Sequence, residues 1–105
     1  MSEGLDRLFA TITARKGADP GQSYTAKLLA AGVEKCAKKF GEEATEAVIA
    51  AIQKDKAELA KESADVLYHL AVLWAASGIT PEDVYAVLKS REAMSGLEEK
   101  AGRKG

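Results

Sequence analysis

An all-α protein is expected from this sequence: an antiparallel bundle of about five helices, completed by homodimerisation. Three observations carry that expectation. Ala, Leu, Glu and Lys, all strong helix formers, dominate the chain. No six-residue stretch alternates cleanly between apolar and polar, so strand signals are weak. Apolar residues instead recur at steps of three and four, in segments punctuated by Gly and Pro.

The first helix is expected over about 5–15, where Leu5, Leu8, Phe9 and Ile12 share one face before Gly17. Asp19-Pro20-Gly21 is turn chemistry, so 17–23 reads as a loop. A short second helix over 24–31 is stopped by Gly32. The third spans about 33–53, with Val33, Ala37, Phe40, Ala44, Ala47 and Val48 along its stripe. Gly41 inside it costs about 1 kcal/mol relative to Ala and so suggests a close approach. Asp55 followed by Glu58 reads as an N-cap with a third-position acid, opening a fourth helix that runs to Ser77 and stops at Gly78. Thr80-Pro81-Glu82-Asp83 opens the fifth, which continues to about Glu92: a cap, a Pro at the first helical position, then acids in the first turn. The tail 95–105 is polar and Gly-rich, with a mobile end expected.

The fourth helix is apolar on nearly every side from Ala64 to Ala76. Such a helix is buried all round, which a 105-residue chain cannot easily achieve alone. This is the sequence argument for a dimer built on that helix. The chain length suits one domain. Cys36 is the sole cysteine, which excludes an internal disulfide and a thiolate zinc site; a reducing, cytoplasmic setting fits. Fifteen Lys and Arg against 16 Asp and Glu leave a net charge of −1, a poor basis for binding a nucleic-acid polymer. The start MSEGLDRLFA is unlike a secretory leader, and no apolar run approaches the ~20 residues that span a bilayer.

The chemistry-bearing residues are acids. Glu43 and Glu46 lie three apart, as do Glu62 and Asp65, so each pair shares a helix face. About a hairpin centred on Lys54, Glu46 and Glu62 each lie eight residues from the turn, and Glu43 and Asp65 eleven. With a rise of about 1.5 Å per residue, the pairs arrive at matching heights. Carboxylates converging in this way need compensating cations, and hard divalent ions, Mg²⁺ or Mn²⁺, fit oxygen ligands. Asp65 lies in the most apolar helix, where an unpaired carboxylate is costly. A single acidic pair would be a solvated helix face; two pairs mirrored about one turn argue for a site. Glu3/Asp6 and Asp55/Glu58 receive no functional reading.

Glu42-Glu43-x-x-Glu46, fifteen intervening residues, then Glu62-x-x-Asp65 resembles the signature of the MazG-type all-α nucleotide pyrophosphohydrolases. SYTAKLLAAG from Ser23, KKFGEEATEAVIAA from Lys38, KESADVLYHLAVL from Lys61 and SGLEEKAGR from Ser95 are similar to the phosphoribosyl-ATP pyrophosphohydrolase branch, which serves histidine biosynthesis. The resemblance covers nearly the whole chain. It implies Mg²⁺-dependent hydrolysis of phosphoribosyl-ATP to phosphoribosyl-AMP and pyrophosphate, by a dimer of helical bundles.

Under that reading Glu43, Glu46, Glu62 and Asp65 are the expected metal ligands. Glu46 or Glu43 also serves as the base that activates water. Glu42 lies away from the others on the wheel and either binds a basic side chain or serves a second ion. Lys27 and Lys39 are the favoured phosphate-binding cations, with Arg15, Lys35 and Lys38 as further candidates. A solvated Lys, or a Lys39–Glu43 pair along the helix, is the bland alternative. Arg91 and the tail are candidates for closing over substrate, in the same chain or in the partner subunit, with a disordered tail as the alternative from composition. The hairpin sets His69 level with Lys39. It is either a satisfied core histidine or a contact to Asp65, base or ribose. Ser23 and Tyr24, with Gln22, are candidate contacts to ribose or phosphate, and Cys36 and Trp74 are packing residues. The rival enzyme is a housecleaning pyrophosphohydrolase acting on noncanonical nucleoside triphosphates. A helical interaction protein has no use for convergent carboxylates. A di-iron bundle calls for Glu-x-x-His, which is absent.

Overall fold

The computed structural model describes residues 3–92. Its elements are α1 (Glu3–Ala14), α2 (Tyr24–Ala31), α3 (Val33–Ile52), α4 (Lys56–Ser77) and α5 (Pro81–Glu92). No strand occurs among the described residues. The expected helices are all present, within one or two residues at most ends. The tail 95–105 lies outside the described residues.

Local chemistry sets the boundaries. Ser23 Oγ caps α2 by accepting the Ala26 N–H at 3.1 Å. Gly32, at φ 99°, ends α2 and lets α3 start at the next residue. Asp55 caps α4 by accepting the Glu58 N–H at 3.0 Å. The return half of a capping box is not made there, because the Asp55 N–H donates to the Ala50 carbonyl at 3.1 Å. Thr80 and Asp83 make the reciprocal box instead. Thr80 N–H donates to Asp83 Oδ2 at 2.9 Å, and Asp83 N–H to Thr80 Oγ1 at 3.3 Å. Gly78 closes α4 in the left-handed conformation.

The pair α3 and α4, joined by the turn at 53–55, has the most extensive packing, followed by α1 on α4. α2 leans on both α3 and α4, while α5 packs chiefly on α1, where Tyr85 donates to Asp6 at 3.1 Å. The core is small: Ile12, Leu28, Cys36, Ala71 and Val72, with Leu8, Leu29, Tyr68 and Leu73 packed around it. Cys36 donates to the Leu28 carbonyl at 3.3 Å, and burial raises its thiol pKa. Cys36 and Trp74 are packing residues, as expected.

One expectation needs correction. Gly41 faces open space among the described residues, so no close approach there explains it. As expected of so short a chain, α4 is not buried all round by the described residues: His69, Ala71, Val72 and Trp74 are buried, but Leu67 is 49% exposed. Val48 and Ile49 are also about half exposed, and Ile52 is 75% exposed. The described residues of a single chain leave this apolar surface uncovered. No described helix is long and apolar enough to cross a membrane.

Candidate active site

The α3–α4 pair brings three of the four expected ligands together. Carboxylate oxygens of Glu43, Glu62 and Asp65 all lie within 4.8 Å of one another. Glu43 and Asp65 are half-buried, and Glu62 is only 5% exposed. Like charges this close repel, and burial removes the water that would screen them.

Glu46 meets the same Glu62 but is not one of the three. With Glu58 and Glu62 it lines an open cleft of about 260 Å³, floored by Ile49 and Ala50. Glu62 therefore touches carboxyls on two sides. Hydrogen bonding with Glu46 is the largest influence on its pKa, then burial, then Glu58, and together they push it up to about 7. Its Oε2 is buried with no hydrogen-bond partner. A buried, partnerless acceptor among acids is a poor arrangement for a metal-free protein and a good one for a divalent cation. The donor set is all oxygen and anionic, so the residues present fit Mg²⁺ or Mn²⁺.

Sequence reasoning missed Glu58. The signal was available, since Glu58 and Glu62 lie four apart on one face. It was absorbed into the expected capping box, whose return half the structure satisfies with Ala50.

The remaining candidates separate clearly. Lys39 Nζ donates to Glu42 Oε1 at 3.2 Å. Of the two roles open to Glu42, the structure shows the basic partner, and Lys39 chooses Glu42 over Glu43. The hydrogen bond raises the Lys39 pKa and lowers that of Glu42. Tyr24, Lys27, Leu28, Ala31, Lys35 and Lys39 line a separate pocket of about 240 Å³ between α2 and α3. Ser23 is engaged as the α2 cap. Arg91 lies in the last turn of α5, the helix that packs chiefly on α1, and lines neither of these pockets.

His69 is 6% exposed, and its Nδ1 is buried without a partner, so it is not a satisfied core histidine. Tyr68 and Tyr24 meet its ring edge-on, with centroids 5.0 and 6.2 Å away. A hydrogen bond between the Thr25 and Tyr68 hydroxyls ties α2 to α4 beside it. Burial lowers the His69 pKa, Glu43 opposes that, and Lys39 adds to it, leaving the ring neutral at pH 7. His69 thus stands between the carboxylates and the lysine-lined pocket.

Comparison with known proteins agrees with this arrangement. Residues 5–92 match the family model described as phosphoribosyl-ATP pyrophosphohydrolase. A protein of Cereibacter sphaeroides (strain ATCC 17029) named phosphoribosyl-ATP pyrophosphatase is 64% identical over 99 residues, covering 94% of this chain and 96% of its own. Its namesake in Parvibaculum lavamentivorans is 64% identical over 99 residues, covering 94% and 91%. That of Paracoccus denitrificans is 61% identical over 101 residues, covering 96% and 94%. With a carboxylate cluster between its two longest helices and similarity across nearly its whole length, this chain belongs to the phosphoribosyl-ATP pyrophosphohydrolase family.

Proposed function

We propose that this chain hydrolyses the α–β phosphate anhydride of phosphoribosyl-ATP, releasing phosphoribosyl-AMP and pyrophosphate, the second step of histidine biosynthesis. The observation that carries the chemistry is the convergence of Glu43, Glu62 and Asp65 around a buried, partnerless Glu62 oxygen. Glu43, Glu62 and Asp65, with Glu46 against Glu62, would hold Mg²⁺, for which Mn²⁺ could substitute. When bound, the ion neutralises charge that builds on phosphate oxygens as pyrophosphate leaves.

The chain's own groups do the rest. Water adds to the α-phosphorus as the bond to the bridging oxygen breaks, and the water's proton passes to a carboxylate. Glu46 is the favoured acceptor, because it borders Glu62 yet lines an open cleft that water can enter; Glu43, inside the trio, is the other. Lys39 and Lys27 attract the phosphates. His69, neutral and walled by two tyrosines, offers an uncharged hydrogen-bonding edge beside Asp65.

The antiparallel course of α3 and α4 is part of this reading, supported by the pairing of residues equidistant from the turn. Homodimerisation is another part, supported by the uncovered Val48, Ile49, Ile52 and Leu67. Arg91 then reaches substrate from the partner subunit. A single cytoplasmic domain over the 105 residues completes the proposal.

A pyrophosphate-release assay with phosphoribosyl-ATP, run with and without Mg²⁺ beside a panel of free nucleoside triphosphates, tests it. Metal-dependent release selective for phosphoribosyl-ATP is expected. Preference for noncanonical triphosphates would assign the chain to housecleaning instead.

A further inference from the structure

The His69 ring is held by packing alone. Among the described residues neither of its nitrogens has a hydrogen-bond partner, and Nδ1 is buried. Its orientation therefore rests on two aromatic walls. Tyr68 of α4 meets the ring at 79° and Tyr24 of α2 at 88°, both edge-on. A neutral imidazole carries a donor on one nitrogen and an acceptor on the other, so a turned ring presents the wrong edge. His69 lies one helical turn from Asp65, and Glu43 and Asp65 are close enough to act on its charge.

Both walls depend on one bond. The hydroxyls of Thr25 and Tyr68, 43 residues apart in the chain, are hydrogen-bonded to each other. Among the described residues this is the only side-chain hydrogen bond between α2 and α4. It fixes the half-buried Tyr68 ring directly, at its far end. It fixes Tyr24 through the backbone, because Tyr24 immediately precedes Thr25 in the first turn of α2. Eight residues are too few for a helix to persist by itself in water, and α2 buries only Ala26 and Leu28, so it needs such a tie. A helical threonine can turn its hydroxyl onto its own backbone; Thr25 directs it to α4 instead.

We propose that Thr25 and Tyr68 are positioning residues: their hydroxyl pair locks α2 onto α4 and so clamps the His69 ring in the one orientation that the reaction centre uses. The part His69 plays in the reaction rests on the proposed function, whereas the clamp itself does not.

His69 is the sole histidine of the chain, so its ring signals identify themselves in untagged protein. The full chain, ¹⁵N-labelled in that ring and kept in chelator without substrate, is expected to show one sharp pair of ring nitrogen signals from a single dominant tautomer. Tyr68→Phe and Thr25→Val each remove one hydroxyl and keep the shape. Either should broaden the signals or mix in the second tautomer, and Thr25→Ser, which keeps the hydroxyl, should match wild type. Unchanged ring signals in both variants, or Thr25→Ser behaving like Thr25→Val, would overturn the clamp even where stability in urea falls. In pyrophosphate release with Mg²⁺, Tyr68→Phe and Thr25→Val should each lower kcat/KM by about threefold to tenfold, the scale of one net hydrogen bond. The double variant should lose no more than either alone. In a His69→Gln background Tyr68→Phe should add nothing. An undiminished loss in that background, or full activity of both single variants, would overturn the positioning role. If the chain releases no pyrophosphate from phosphoribosyl-ATP, the proposed function fails while the ring signals still decide the clamp.

Discussion

Without the proposed metal, this protein should become less stable as pH rises through the range in which most proteins gain stability. The cause is Glu62. Its ordinary pKa of 4.5 is pushed up to about 7 in the fold, by hydrogen bonding with Glu46, by burial and by Glu58. Between those values the folded chain holds a proton that the unfolded chain has released. Linkage then fixes the sign: Glu62's contribution is fully present below 4.5 and is lost as pH rises through about 7. This is opposite to a salt-bridged carboxylate. A divalent ion reverses the cost by compensating the ionised cluster, and a ligand at a hundred times its dissociation constant adds about 2.7 kcal/mol. Glu62→Gln keeps the shape, cannot ionise and loses one of the proposed metal-binding oxygens. The assay is thermal or urea denaturation followed by far-ultraviolet circular dichroism, at fixed protein concentration, across this window, in chelator and in Mg²⁺. In chelator, wild type should lose stability relative to Glu62→Gln between about pH 5 and pH 8; in Mg²⁺, wild type alone should recover. Parallel curves for the two proteins in chelator, or equal recovery in Mg²⁺, would refute the reasoning.

Other expectations follow from the same geometry. Asp65→Asn and Glu46→Gln should each lower turnover on phosphoribosyl-ATP by at least about a hundredfold, since even outer-shell partners of a metal contribute 10–100-fold; near-normal turnover in saturating Mg²⁺ removes that residue from the ligand set. Ile52→Lys places a charge on the most exposed of the large apolar side chains. Light scattering should show loss of the proposed dimer with helix content retained, whereas an unchanged mass shows that Ile52 is outside any interface. Val72→Ala, at a fully buried position in α4, should cost about 2–3 kcal/mol in urea denaturation, from two lost carbons at ~0.8 kcal/mol each plus a cavity.

What was legible and what was not divide by range. Ser23, Gly32, Asp55, Gly78 and Pro81 mark helix ends through contacts within a few residues, so the elements could be read with little error. The Glu43/Glu46 and Glu62/Asp65 pairs were visible because the helix repeat is regular and the turn at 53–55 is short. Their final roles were not visible. Glu43 joins Glu62 and Asp65, while Glu46 meets Glu62 from the cleft side. Side-chain rotamers and the stagger of two helices determine that difference, and neither is encoded in residue spacing. Lys39's choice of Glu42 over Glu43 is of the same kind.

By itself, the order of residues determined an all-helical chain, the places where its helices begin and end, and the two acidic pairs, because each depends on a periodicity or cap contained within a few turns. Only the packed helices decided that Glu62 is the buried centre, that Glu58 joins it, that His69 lacks a partner at Nδ1, and that three lysines share one pocket. Those features arise where segments distant in the chain meet and displace water, and burial of that kind belongs to the assembled surface, not to any one segment.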